Sequence, residues 1–563
     1  MRFDGQAVLG YQLPEVVEQT DVDIPLTPKE LEVWLANFPS LNLQLLTNHI
    51  PQYIQDLNRL KLSDKRRLAM LEMLRPIVMH IYQALTKKLR GMNHTLSHEF
   101  QETEWVASIM MTEMATGYQR LLFNLAISDP GLFDRGQYVL LAQRSVYYLG
   151  EKICLSYLLS LSVPKRVWKD INATYAYTYK LKLNTKKVND DFAYFESSRG
   201  TIDDVFKRVL LLTIISPYAL RNAELEQVYY GLTPWFNEIK LVKLTESESE
   251  SEGDHYTINL AHDLGPKYQS SVSTIEDEYS IDCTEVIEKL RLWLETGNAP
   301  PSASAKGMPK KLLIELIGKL EGSSRGRSKE RIVTKCDRVD VIIGVDGIEL
   351  FLSKLAESRG GESDSISMND ENDNSLHFYT PEDISGQKVD SVSTIENRKK
   401  FGDKRHAFYI QNKSEQGVCL SCSHLHGAGL YIGELMLIRG FEPEIWTLGI
   451  VRWMTLLNKR VEVGLYLLST CVEQVVIRQQ RLETDSTVNA LWLVNDESGD
   501  TLLLPSAEFE TGDKLQVNHN EVMLDITLSE PVWSSEYFSQ FSMILAKREP
   551  NSDEFEQDLL IPS

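Results

Sequence analysis

The chain has 563 residues, 42% hydrophobic and 25% charged, enough for ordinary packed cores in three or four domains. A formal net charge of −21 excludes broad binding to DNA or RNA, which needs a basic surface to displace counterions, but leaves room for a small anion held by a local arginine cluster. The six cysteines are too sparse for a disulfide scaffold, and no apolar run is long enough to span a bilayer, so no transmembrane segment is expected.

Met1–Gln6 carries mixed charge without an apolar signal core, so the chain reads as cytoplasmic. Residues 1–27 form a polar lead-in. Thr27, Pro28 and Glu30 then make a capping box, with proline in the first turn, ahead of Leu31, Val33, Trp34 and Leu35. Leu71, Leu74, Val78, Ile81, Leu85 and Leu89 recur at helical spacing, with Pro76 expected to kink the helix. Amphipathic stretches follow at 100–126, 135–163 and 167–183. Thr201 and Asp204 open another helix through Val205, Val209, Leu212 and Ile215, which Ser216 and Pro217 stop. Residues 28–235 therefore predict an all-helical domain, with Tyr118, Tyr147, Tyr148 and Tyr157 in its core rather than around a cofactor. Helical hairpin arrays often serve as protein-binding surfaces, so a protein partner is expected here.

At Trp235 the texture changes. Residues 239–244 and 255–260 read as strands around an acidic hairpin tip, Glu246–Glu252, and helices follow at 284–296 and near 309–321. Residues 236–322 thus predict a mixed β/α accessory module. Arg327 and Arg331, four apart, precede the alternating strand Val339–Ile343. Residues 356–397, rich in Ser, Asp, Glu, Asn and Gly, read as a disordered insertion. Beyond it, Phe408–Ile410 runs into the polar turn Asn412-x-Ser414-x-x-Gly417. Asn412 has a side chain that folds onto nearby amides, Ser414 supplies a hydroxyl, and Gly417 supplies freedom at positive φ. Short β-rich segments at Tyr431–Ile438, Trp446–Trp453 and Val461–Leu468 continue the pattern of a small antiparallel barrel. Cys419, Cys422, His424 and His426 lie close enough to suggest zinc, but a strand turns the two cysteines to opposite faces and no second pair stands at finger-like spacing, so no metal site is expected. Residues 483–563 read as a C-terminal β module with an acidic tail.

Arg327-x-x-x-Arg331, Asn412-x-Ser414-x-x-Gly417, Gly449–Trp453 and Val463–Gly464 follow one another in the order that resembles the PilZ family of cyclic di-GMP receptors. The motifs cover residues 325–475. The wider layout is similar to long bacterial PilZ-containing proteins, through Leu57–Asn58, Arg75–Pro76, Leu210–Leu212 and Pro217–Tyr218. The resemblance implies a multidomain α + β protein in which an all-helical domain precedes small β-barrels, with a six-stranded antiparallel PilZ-like barrel at 323–482. It implies cyclic di-GMP as the ligand, Arg327 and Arg331 gripping it, Asn412 and Ser414 facing a guanine, and Gly417 permitting close approach. Asparagine stands at 412 where the family often has aspartate. The basic residues Arg398–Lys400, Lys404 and Arg405 are a rival source of phosphate contacts. No nucleophile elbow, P-loop or His-Glu-x-x-His motif is present, so a non-enzymatic receptor without catalytic residues, cofactor or metal is expected. The alternative is an adaptor whose barrel has lost the ligand.

Overall fold

Thr27 opens the first helix: its hydroxyl accepts from the Glu30 amide at 3.2 Å, while the Glu30 carboxylate accepts from the Leu26 amide at 2.9 Å. The structure, a computed structural model, describes residues 9–18, 24–38, 42–91, 98–128, 135–190, 199–244, 255–269, 277–299, 305, 307–322, 332–333, 337–360, 405–414, 416–423, 430–439, 446–457, 460–479, 487–494, 499–505, 509–519, 522–534 and 538–545. Two units result. The first takes Met1–Glu330 with Ser423–Ile432 and Trp453–Glu462; the second takes Arg331–Cys422, Gly433–Arg452 and Val463–Ser563.

In the first unit, α1 (Pro28–Ala36), α2 (Leu43–Arg59), α3 (Asp64–Gly91), α4 (His98–Ile127), α5 (Arg135–Leu158) and α6 (Val167–Lys180) lead to a two-stranded ladder, β1 (Val188–Asn189) and β2 (Arg199–Gly200). Then come α7 (Ile202–Ile214) and α8 (Asn222–Gly231). Helix α3 runs through Pro76. Thr201 and Asp204 cap α7 reciprocally, at 2.7 and 3.0 Å. Tyr118, Tyr147, Tyr148 and Tyr157 all lie in the shared apolar core. The lead-in is more than polar linker. Leu9 is buried in that core, Arg166 donates to the Gly10 carbonyl, Tyr11 bonds Thr174, Arg120 donates to the Pro14 carbonyl and Val17 bridges to Leu60. The sequence hid this strap because its few apolar residues show no helical period.

The 236–322 stretch also departs from expectation. Its strands β3 (Lys240–Lys243), β4 (His255–Asn259), β5 (Lys267–Gln269) and β6 (Glu278–Asp282) order as β3-β6-β4-β5. Hence β3 and β4 are not a hairpin: β6 lies between them and sends Tyr279 and Ile281 into the core. The acidic tip 246–252 lies outside the described residues. With α9 (Thr284–Thr296) and α10 (Lys310–Leu320), these strands contribute to the same apolar core as the helices, so no separate module forms. Two polar anchors seal the join. The Asp263 carboxylate accepts the Arg166 and Lys169 amides at 2.6 and 2.9 Å, capping α6, and Asn172 donates to the carbonyls of Asn259, His262 and Leu264.

A buried charge cluster ties α3, α5 and β1 together. Asp190, 1% exposed, accepts from Arg75 at 2.7 Å, from Arg144 at 2.6 Å and from Gln143 at 2.8 Å. Burial pushes its carboxyl up, but Arg75 and Arg144 outweigh burial and hold it below the usual carboxylate range. Arg208 and Glu151 form a second buried pair at 3.0 Å, with the guanidinium 4.3 Å over the Tyr229 ring.

The second unit holds two barrels. Strands β7 (Ile332–Val333), β8 (Arg338–Ile343), β9 (Arg405–Ser414), β10 (Gly417–Cys422), β11 (Leu435–Arg439), β12 (Trp446–Leu457) and β13 (Arg460–Ser469) order as β10-β13-β12-β11-β8-β9-β7, and β9–β10 pairing closes six of them into a barrel. Part of β12 belongs to the first unit. The next six strands, β14 (Cys471–Gln479), β15 (Thr487–Val494), β16 (Thr501–Pro505), β17 (Lys514–His519), β18 (Val522–Ser534) and β19 (Phe538–Leu545), close as β14-β15-β16-β19-β18-β17. Taken from their first strands, both barrels have the same connectivity, first-second-third-sixth-fifth-fourth. The C-terminal β module is therefore a second barrel, and it begins at Cys471 rather than at 483, because β14 pairs with β15 and β17. Helix α11 (Val345–Gly360) reaches into the stretch read as insertion, and its Ile348 and Phe351 pack with Leu435, Leu448, Leu491 and Leu503 from both barrels. Residues 361–397 lie outside the described residues.

Candidate functional site

The polar turn sits where β9 passes into β10. Ser414 pairs with Gly417, Lys413 with Val418 and Asn412 with Cys419. The Ser414 hydroxyl donates to the Gly417 carbonyl at 3.3 Å, and the Gln416 carbonyl accepts from the Leu467 amide on β13 at 3.0 Å. Asn412 and Ser414 are both half-buried.

The positive φ expected of Gly417 is not observed. What matters is approach: a Cβ there would stand 3.0 Å from the Leu465 carbonyl oxygen, a backbone atom that cannot swing aside. Gly449 faces the same strand, with a Cβ meeting the Tyr466 carbonyl at 3.2 Å. The two glycines thus let β10 and β12 close on β13. Gly417→Ala is expected to cost about 1–3 kcal/mol of barrel stability through overpacking. Denaturant unfolding checks this; an unchanged midpoint would show that β13 yields freely.

One irregularity lies beside the turn. Leu420 pairs with Ile410 and Ser421 with Tyr409, so the register shifts by one residue and Gln411 is the extra residue of a β-bulge. Gln411 Nε2 donates to the Ser421 hydroxyl at 2.7 Å. Sequence reasoning passed over both residues.

Arg327 and Arg331 lie outside the described residues. Their surroundings do not: Ile332, the residue after Arg331, pairs with Lys413, and Val333 pairs with Asn412. The chain therefore leaves the arginine segment directly onto the turn strand. Of the rival basic residues, Arg398–Lys400 and Lys404 are not described, while Arg405 opens β9 and stands 5.8 Å over the Phe351 ring. Arg405 and Asn412 are seven steps apart along the strand, about 23 Å at the usual rise, so Arg405 belongs to the other end of the barrel. Cys419 and Cys422 are both buried, and His424 and His426 are not described. Among the described residues, no group of acidic, Cys or His side chains is placed to hold a metal, and no helix is long and apolar enough to cross a membrane.

Residues 29–246 match the family model described as the N-terminal domain of the cyclic-di-GMP receptor FimW, and residues 353–472 match its middle PilZ domain. The second range contains Asn412, Ser414 and Gly417; Arg327 and Arg331 fall outside both ranges. The chain is 20% identical over 574 residues to the cyclic-di-GMP receptor FimW of Pseudomonas aeruginosa (strain PAO1), spanning 95% of this chain and 93% of that protein. No solved structure matches. With its helical and barrel regions matched in sequence order to two domains of one receptor, the chain belongs to the FimW family of cyclic-di-GMP receptors, which are receptors rather than enzymes.

Proposed function

We propose that this chain binds cyclic di-GMP at the turn end of its first barrel and relays occupancy to the helical unit, which passes it to a protein partner. The observation that carries the reading is the pairing of Ile332–Val333 with Lys413–Asn412, which ties the end of the arginine segment to the polar turn. Asn412 and Ser414 offer amide and hydroxyl groups to a guanine edge, Gly417 keeps the turn low, and Arg327 and Arg331 supply paired donors to phosphate oxygens or to guanine O6 and N7. Calorimetric titration of the whole chain with cyclic di-GMP, and with GTP as control, tests the binding. An absence of heat with both would favour the adaptor reading.

The relay has a covalent path. Strand β12 belongs to the second unit as far as Arg452 and to the first from Trp453 onward. There the Leu456 amide donates to the Ser160 carbonyl at 2.6 Å, and the Leu456 carbonyl accepts from Ser162 at 3.3 Å. A coupling exists only if the ligand favours one arrangement of these elements over another. Hydrogen exchange is expected to slow on ligand addition at 323–335, at 410–418 and around 159–163 in the helical unit. Protection confined to the first two would make the barrel a passive binding module.

A further inference from the structure

We infer that Gln411, pinned by Ser421, is a positioning residue that turns Asn412 and Ser414 out of the barrel's apolar face, a role that rests on the cyclic di-GMP reading above. The argument begins with strand alternation. Phe408 and Ile410 are 0% and 2% exposed, and side chains on a regular strand alternate, so Asn412 and Ser414 would follow them onto that buried face. The observed register prevents this. Directly paired residues share a face: Ile410 with Leu420, which is fully buried, and Tyr409 with Ser421. Cys419 is next to Leu420 on β10 and so lies on the opposite face, together with its partner Asn412. Ser414, paired with Gly417, lies on the same face as Asn412. The extra residue at 411 makes the switch, because a one-residue slip transfers every following side chain to the other face.

The second barrel is an internal control. Its connectivity is the same, and its corresponding pair, β15 and β16, runs without a shift through Leu491–Leu503, Trp492–Leu502 and Leu493–Thr501. The second barrel carries its register shifts elsewhere, between Leu528 and Trp533 of β18 against β19, so closure by this connectivity does not need a shift at the second and third strands. The Gln411–Ser421 hydrogen bond is the side-chain fastening of the bulge: Ser421 is 5% exposed, and its hydroxyl is held at 2.7 Å.

The test compares Gln411→Leu, Ser421→Ala and Gln411→Glu in the full chain, by calorimetry with cyclic di-GMP and cyclic di-AMP and by amide exchange across 409–421. Gln411→Leu and Ser421→Ala are expected to weaken cyclic di-GMP about five- to tenfold, the worth of one partly buried hydrogen bond. They should also narrow the preference for guanine over adenine without shifting the unfolding midpoint. Gln411→Glu keeps the fastening with its direction reversed, the Ser421 hydroxyl donating to the carboxylate, and should bind like the parent. Unchanged binding in Gln411→Leu, or a Gln411→Glu variant as weak as it, overturns the inference, as does weaker binding accompanied by general unfolding in both Gln411→Leu and Ser421→Ala. If the parent takes up no cyclic di-GMP, the ligand reading falls and exchange decides the rest: faster exchange at 410–414 in Gln411→Leu and Ser421→Ala alone sustains the pin, and unchanged exchange removes it.

Discussion

Asp190→Ala should destabilise the first unit by about 3–5 kcal/mol, because it removes the buried carboxylate that two buried guanidinium groups share. Arg75 and Arg144 are 3% and 4% exposed in their side chains and share this one carboxylate as their buried acid. Glu72, their other acidic neighbour, is 35% exposed and lies at 3.6 and 3.3 Å. The exposed pair Lys61–Glu18 has a similar separation, 2.6 Å, yet its side chains are 66% and 78% exposed. Lys61→Ala should therefore change nothing measurable, since an exposed pair is screened and costs side-chain entropy to hold. Thermal unfolding separates the two cases: Asp190→Ala should lower the midpoint of the first unit by about 5 °C, given the unfolding entropy of a unit this large.

Asp190 also sets a pH dependence. Its folded pKa is held below the unfolded value, so its contribution is complete above about pH 5 and is lost as pH falls through the depressed folded value. The parent and Asp190→Asn should therefore converge in stability towards acid. A gap that stays constant down to pH 3 would show that packing, not charge, carries the effect.

How much of this was legible depends on whether the signal is local. Helical period and capping residues are local, and Thr27, Thr201 and the stripe from Leu71 to Leu89 sit where those rules place them. The features shared with long PilZ-containing proteins are interior parts of the first unit: Asn58 donates to Glu113, Arg75 to Asp190, and Tyr218 to the Leu161 carbonyl. Their partners stand 55, 115 and 57 residues away, and no local pattern points to partners so distant. The same holds for Asp263 on α6 and for the closure of the second barrel by β14 and β17. The local structure around the candidate site was half legible. Its turn residues follow from side-chain chemistry, and the adjacent polar pair Gln411–Asn412 after Phe408-x-Ile410 breaks the alternation in a way that signals a bulge. The reason for Gly417 was not legible, because the Leu465 carbonyl that excludes a side chain comes from a strand almost fifty residues on.

Replacing Arg327 or Arg331 by alanine is expected to cost about 1.5–3 kcal/mol of cyclic di-GMP binding each, through lost charge-assisted hydrogen bonds, or roughly ten- to a hundredfold in affinity. The two should not be equal. Arg331 directly precedes Ile332 in sequence, and Ile332 is paired with Lys413, one residue from both Asn412 and Ser414. Arg327 stands four residues further from that pairing and must be ordered at greater entropic cost before it contributes. Arg331→Ala should therefore cause the larger loss. Val333→Pro offers a second handle: it keeps both arginines but places a constrained residue, without an amide donor, in the β7–β9 pairing opposite Asn412. If the pairing matters, this variant should lose affinity with both arginines intact, and Arg331→Ala in the same background should cost less than it does alone. Equal effects of Arg327→Ala and Arg331→Ala, both additive with Val333→Pro, would mean that the segment acts as free cations. Unchanged affinity in every variant would move the phosphate contacts to Arg398–Lys404.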